Sequence, residues 1–392
     1  MLDAFQRSGG VALADDAALR ADPTGAPSVR ISVIENVSEG LAREWKALAR
    51  DAAEPNPFSE AWFAAASLKY LRHGGLIRLL EVRRGDRLVG AALFQAARRY
   101  GRARVTHVKN WSSPNHFLGA PLIACGEERR FWRAALAAPD AAPWARGFLH
   151  LTGLVEDGPI HSGLVPAAAE LGRNCAIVHR EIRPLLHTSL PAEEYYRRNV
   201  RAKRRNEHKR DRARLAVLGK LELRQLDDPA EAPAWSDAFL RLEATGWKGK
   251  VGSALACQAG TAGFFRETIL AAARQGRLQF LRLDLGGEPI AMTTCVLAPP
   301  GAFVFKSAFD VRFARHSPGI LLQIDQMRIL ESREVAWTDS CASGPHPTSS
   351  LWSERRSIVR VSVRLAGLTR GLVYGGARML EEVARLRRAE RG

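Results

Sequence analysis

Paired cysteines are missing from this sequence. Its five cysteines, Cys125, Cys175, Cys257, Cys295 and Cys341, stand singly with no C-x-x-C step, which gives no sign of a zinc ribbon or a disulfide framework. No metal site is expected, and a reducing cytoplasm fits best. Long apolar runs are missing too. Nothing approaches the roughly 18 consecutive apolar residues of a bilayer-crossing helix, and the N-terminus lacks the charged-then-apolar order of a secretory signal. A soluble chain is expected, or one held peripherally on the inner membrane face. Acidic residues are scarce relative to basic ones: 58 Lys and Arg stand against 41 Asp and Glu, a formal charge of +17. Anions therefore collect around the chain, whether nucleic acid, lipid headgroups or phosphorylated cofactors.

What is present suits two domains. The 392 residues, 46% hydrophobic and 25% charged, sit at globular averages and suffice for two cores. Residues 76–97 and 278–298 each alternate apolar and polar positions on either side of a Gly-containing turn, which predicts two hairpins. Aligned so that Gly85 meets Gly287, Asp86 meets Glu288 and Leu88 meets Ile290, the two stretches match. Each follows tryptophan-bearing helical patterns, at 41–50 and 57–71 in the first half and at 234–247 and 263–276 in the second. A duplicated α+β module follows from that recurrence. The expected division is a flexible leader (1–28), an N-terminal module (29–185), a C-terminal module (186–360) and a basic amphipathic tail (361–392).

Within the second module, a strand at 302–309 precedes a helix whose Ile320, Ile324, Met327 and Leu330 recur at helical spacing, with Ser317 and Pro318 as its expected cap and first turn. A short strand then runs into the polar loop TDSCASGPHPTSSLW. The tail reads as a helix with Gly375-Gly376 as a break, docked on its own domain or lying on a membrane surface.

Residues 197–214 hold ten Lys or Arg against one Glu and one Asp. No apolar stripe runs along them, so they face water or an anion. No Phe, Tyr or Trp occurs from 197 to 234, which removes a stacking platform for single-stranded nucleic acid, and Gly219 and Pro229 interrupt any zipper. Nucleic acid is not an expected partner, with tRNA left open; an anionic membrane surface suits the charge better.

Several of these residues together resemble the CelD/BcsL-type branch of the GNAT acyltransferase superfamily, whose chains carry two GNAT-like modules in tandem and are related in architecture to the FemAB transferases. They are the basic stretch 201–210 with Gly219 after it, Trp247, Phe264-Phe265, the Gly276-Arg277-Leu278 to Ile290-Ala291 stretch, and Ser317-Pro318-Gly319 before a helix. The sequence departs from many relatives after its last strand: a Tyr-Lys pair expected there is replaced by Asp339-Ser340-Cys341 and His346-Pro347.

The resemblance implies two tandem modules, each a mostly antiparallel mixed sheet flanked by helices, with the second using acyl-CoA as co-substrate to acylate an amine. It implies a phosphate site at Arg312, Arg315, Ser317 and Gly319, where a helix start offers free N–H groups beside guanidinium groups. His346 and Asp339 are the candidate bases, and Cys341 a candidate acyl carrier, although direct attack on a thioester needs no enzyme nucleophile. Trp247, Lys248 and Lys306 are candidate substrate contacts. A small or lipid-like amine, such as a sphingoid long-chain base, is the expected acceptor. An aminoacyl-tRNA-dependent or envelope-polysaccharide transferase and a non-catalytic polyanion-binding module are the alternatives.

Overall fold

Alternation of apolar and polar residues around tight turns builds the two hairpins first. The computed structural model describes residues 27–72, 74–342, 344 and 346–389; the expected leader falls outside them except for its last two residues. In the first half, β1 (Ser28–Val33), α1 (Glu39–Arg50) and α2 (Ala61–Tyr70) precede the hairpin of β2 (Ile77–Arg84) and β3 (Arg87–Ala97). Next come β4 (His107–Asn110), β5 (Leu122–Ile123), α3 (Glu128–Ala137), β6 (Leu149–Val155), α4 (Pro159–Glu170) and β7 (Cys175–His187).

The basic run becomes α5 (Ala192–Asn199) and α6 (Ala202–Leu218). The second half continues with β8 (Leu221–Gln225), α7 (Ala232–Thr245), α8 (Trp247–Lys250) and α9 (Ala259–Arg274), then the hairpin of β9 (Leu278–Leu285) and β10 (Glu288–Ala298). It closes with β11 (Gly301–Phe309), α10 (Pro318–Gln326), β12 (Trp337–Asp339), β13 (Glu354–Val363) and α11 (Leu368–Ala389).

The two hairpins are copies in geometry, but one residue out of step with the sequence alignment. Arg84 pairs Arg87 and Leu285 pairs Glu288, so Gly85 corresponds to Gly286, not Gly287. Both turn glycines sit in the left-handed region, at φ 57° and 60°, where a side chain is strained. Each hairpin also carries a bulge at the equivalent position, Val89 in β3 and Ile290 in β10, where the register slips. In the second turn Gly287 is left-handed too, at φ 88°, so two adjacent glycines can each match Gly85 by residue type and only the strand pairing fixes the register.

The strands join in one sheet in the order β1-β2-β3-β4-β6-β13-β7-β12-β11-β10-β9-β8, with β5 beside β3. Two steps are parallel, β4 with β6 and β11 with β12, one in each half. The order also shows an exchange: β13, from the far end of the chain, lies between β6 and β7 and pairs antiparallel with both. The boundary expected at 185/186 is therefore crossed by hydrogen-bonded strands. Residues 361–363, assigned by pattern to the tail, complete β13.

Apolar burial joins the halves as well. Phe58, Phe63 and Leu118 share one core with Trp235, Phe239, Phe264 and Phe305, and the ion pairs Arg277–Glu60 and Lys69–Glu267 bridge the same boundary. Among the residues of α6 only Leu215 is buried; the helix is fastened to α10 by Arg212, which donates to both oxygens of Asp325 at 2.9 and 2.8 Å. α11 runs unbroken through Gly375-Gly376. It docks through Tyr374 and Ala377 against Phe148, and that packing holds the helix across two residues of poor intrinsic propensity.

Candidate active site

Strand β11 begins the site. Its register with β10 slips between Val304 opposite Cys295 and Lys306 opposite Thr294, leaving Phe305 as the extra residue of a bulge. The Thr294 hydroxyl pins this bulge, accepting the Lys306 N–H at 3.1 Å and donating to the Lys306 carbonyl at 3.2 Å. Along β11, β12 pairs with Gly301, Ala302 and Phe303 alone, and Phe303 opposite Asp339 is the last pair. Past that point β11 has no strand on this side among the described residues, and the sheet opens.

Lys306 extends into the opening. Its ammonium lies 5.2 Å from the ring centroid of Phe117 and 5.5 Å from that of Phe305. It lines a cavity of about 410 Å³ with Lys248, Glu243, Leu255, Ser113 and Asn115, the last two contributed by the first half of the chain. Burial pushes the Lys306 amine down to about 8, and the nearby Lys248 charge adds to the fall. The carboxylate of the cavity does little to restore it, because Glu243 already accepts from Lys248 at 2.7 Å and from the Leu255 N–H at 2.8 Å. An amine this close to neutrality, at the mouth of a cleft between modules, has the properties of a general base.

The structure places Asp339 differently from its expected catalytic role. The residue is fully buried; one oxygen accepts the Cys341 N–H at 2.7 Å and the other pairs with Arg356 at 3.3 Å. It shapes the exit of β12 and pairs with an arginine, and its carboxylate is not part of the lining of the Lys306 cavity. Asp339→Ala strands the largely buried Arg356 guanidinium and is expected to lower unfolding stability by about 3 kcal/mol, measured by urea denaturation; a loss below about 1 kcal/mol contradicts this role.

Cys341 follows in a left-handed conformation, φ 52°, uncommon for a residue with a side chain. Burial, with Asp339 adding to it, pushes its thiol well above the ordinary value. The group is a buried, protonated thiol, which is unfavourable for carrying an acyl group.

His346 caps the short turn 347–350: its Nδ1 accepts the Thr348 N–H at 3.3 Å and lies 2.7 Å from the Thr348 hydroxyl. Burial, then Lys248, lowers its affinity for a proton. With Nδ1 accepting, the neutral ring carries its hydrogen on Nε2 and offers a donor there, not a base. His346→Asn keeps a side-chain oxygen for the cap and is expected to hold turnover within about threefold; a loss of two orders of magnitude would return the base role to this ring.

The expected phosphate site divides. Ser317 precedes α10 in the left-handed region, φ 48°, and its hydroxyl makes no cap bond. Arg315 donates from Nε to Nε2 of His316 at 3.0 Å, which places the ring hydrogen on His316 Nδ1, a buried atom with no protein partner. Arg315 and His316 line a pocket of about 460 Å³ with Arg214, Val217 and Leu218 of α6. Arg312 turns away instead, held by Asp310 through Nη2 at 2.6 Å and Nε at 2.9 Å, and lines a separate groove of about 870 Å³ with Arg224 and Arg282. Gly319 packs in the first turn of α10 against Phe309. The guanidinium groups of Arg214 and Arg315 face one pocket just ahead of α10, a donor pair that fits the phosphates of coenzyme A.

Lys248 and Lys306 thus share a cavity, whereas Trp247 is 61% exposed outside its lining. Sequence reasoning missed Arg214, His316, Glu243, Ser113 and Asn115. Arg214 was visible only as one cation among ten, and the loop holding Ser113 and Asn115 carries no pattern that singles it out. Among the described residues no group of three or more His, Cys, Asp or Glu is placed to hold a metal ion, and no helix is long and apolar enough to cross a membrane.

Residues 202–345 match a family described as acetyltransferase (GNAT) domain. The solved structure of FemX superposes with a TM-score of 0.56 at 10% identity, covering 87% of this chain and 98% of that one. A conserved protein of unknown function from Bacteroides thetaiotaomicron VPI-5482 superposes with a TM-score of 0.51 at 11% identity, over 85% of this chain and 99% of that one. At such identities the likeness establishes the fold. No curated protein matches the chain.

Proposed function

We propose that this chain, an acyltransferase of the GNAT superfamily with tandem, FemAB-related architecture, moves an acyl group from a coenzyme A thioester to an amine in the cavity between its halves. The observation that carries this reading is the Lys306 amine, held near neutrality where the bulged strand leaves β12. The acceptor nitrogen attacks the thioester carbonyl carbon, a C–N bond forms and the C–S bond breaks. The proton released by the acceptor passes to Lys306 Nζ, which is then free to return it to the departing thiolate. Arg214 and Arg315 hold the phosphates, and Ser113 and Asn115 offer polar contacts to the acceptor.

Apolar side chains stand among the mostly polar walls of the cavity. Leu71, Pro114 and Leu255 stand beside Lys306 and Glu243, a combination suited to a lipid-like amine such as a sphingoid long-chain base. Mixing acyl-CoA with such an amine is expected to release free coenzyme A thiol, read by a thiol reagent, with release depending on both substrates. Coenzyme A is also expected to raise the melting temperature, because a ligand that binds only the folded state stabilises it. No release and no thermal shift would overturn the proposal, and transfer from an aminoacyl-tRNA in their place would move the chain to the donor class suggested by the exposed cations of α6.

A further inference from the structure

Helix α11 presents its apolar residues the wrong way round for a helix that only completes a core. Tyr374 and Ala377 bury against Phe148, and Arg370 donates to the carbonyls of Pro139 and Asp140 at 3.3 and 3.1 Å on the same side. Leu368, Leu372, Met379 and Val383 recur at helical spacing on the opposite side, with exposures of 87%, 78%, 71% and 40%. Leu380 and Val373 border this stripe and face a groove of about 740 Å³, whose other lining includes Arg104, Arg146 and Arg370. The β3–β4 connection that forms the groove's far wall adds Arg98, Arg99 and Arg102, all exposed. On the stripe side the acidic residue is Glu382; Glu381 is already engaged by Tyr100 and Arg378.

We propose that the outward stripe of α11 and the arginines of 98–104 and Arg146 form a docking face for an anionic phospholipid bilayer. An apolar helical stripe beside a row of arginines matches the layered chemistry of a membrane surface: leucine and methionine side chains enter the acyl boundary while guanidinium groups meet lipid phosphates. Exposed apolar residues in a single row gain nothing in water, and a cation row beside a second copy of the same chain would meet its own charge. The inference does not rest on the acyl-transfer reading, because the face lies on the first-half side of the sheet and shares no residue with the cavity of Lys306.

Sedimentation of the full chain with extruded vesicles tests the proposal. Wild type is expected to bind phosphatidylcholine vesicles containing phosphatidylglycerol at 0.1 M salt and to leave pure phosphatidylcholine vesicles unbound. Arg98→Ala with Arg102→Ala is expected to weaken binding about 25-fold, roughly fivefold per cation removed from an anionic surface. Leu372→Gln with Met379→Gln is expected to weaken it by at least tenfold, with melting temperature and acyl transfer unchanged because both side chains face outward. Two results overturn the proposal: no binding of wild type to anionic vesicles, or binding unaffected by the stripe variant while that variant splits a dimer seen by light scattering, which would assign the stripe to a second copy.

Discussion

Lys306→Gln is expected to lower turnover by about 10²- to 10⁴-fold, the range removed with a positioned general base, and at the same time to raise thermal stability at pH 7. The second half of this expectation separates a catalytic lysine from a structural one. The folded amine sits at about 8 against an ordinary value of 10.5, so below pH 8 the folded chain holds a cation its surroundings disfavour. By the free energy per pH unit, that disfavour amounts to about 3 kcal/mol at most. The sign follows from proton counts: between about 8 and 10.5 the unfolded chain binds more protons than the folded one, so wild-type stability rises through that window. The advantage of Lys306→Gln is therefore full below about pH 8 and fades above it. Calorimetry at pH 7 and pH 10 checks this; a variant that lost stability together with activity would mark Lys306 as a packing residue.

The paired change Arg214→Ala with Arg315→Ala is expected to weaken coenzyme A binding by about two to four orders of magnitude, taking 1.5–3 kcal/mol for each hydrogen bond to a charged group. It is expected to leave binding of dephosphorylated pantetheine thioesters unchanged, since these guanidinium groups meet only phosphate. Arg312→Ala is the internal comparison. Its guanidinium is tied to Asp310 on the other side of the loop, so an equal loss of affinity there would move the phosphates into the groove of Arg224 and Arg282. Calorimetric titration of coenzyme A and of pantetheine into the three proteins distinguishes the two positions.

The elements set by local chemistry were the legible ones. Alternation around Gly85 and Gly286 marked both hairpins, and Pro318 marked the start of α10, because turn and first-turn geometry are short-range properties. Exchange of β13 into the first half left no local trace: Ile358, Val359 and Val361 read as a strand in either half, and only pairing with β6 and β7 decides the matter.

At the site, residue types pointed to His346 and Asp339 because free imidazole and carboxylate are the usual acid–base groups. Tertiary contacts engage both groups otherwise, with Thr348 donating to the imidazole and Arg356 pairing with the carboxylate. Lys306 stood among the candidates as a substrate contact; burial shifts its amine toward neutrality, and one wall of that burial is the ring of Phe117, which lies 189 positions earlier in the chain. The pocket proposed for phosphate was half legible, since Arg315 lies in the loop before α10 while Arg214 reaches it only through the docking of α6 by Arg212 on Asp325.

The most direct measurement is the pH dependence of kcat/KM for two acceptor amines whose own pKa values differ by at least one unit. With Lys306 as the base, activity rises through a limb near pH 8 that stays in place for both amines and disappears in Lys306→Gln. A profile that lacks this fixed limb and shows only the limb set by the acceptor's own pKa, in wild type and in Lys306→Gln alike, would contradict the account.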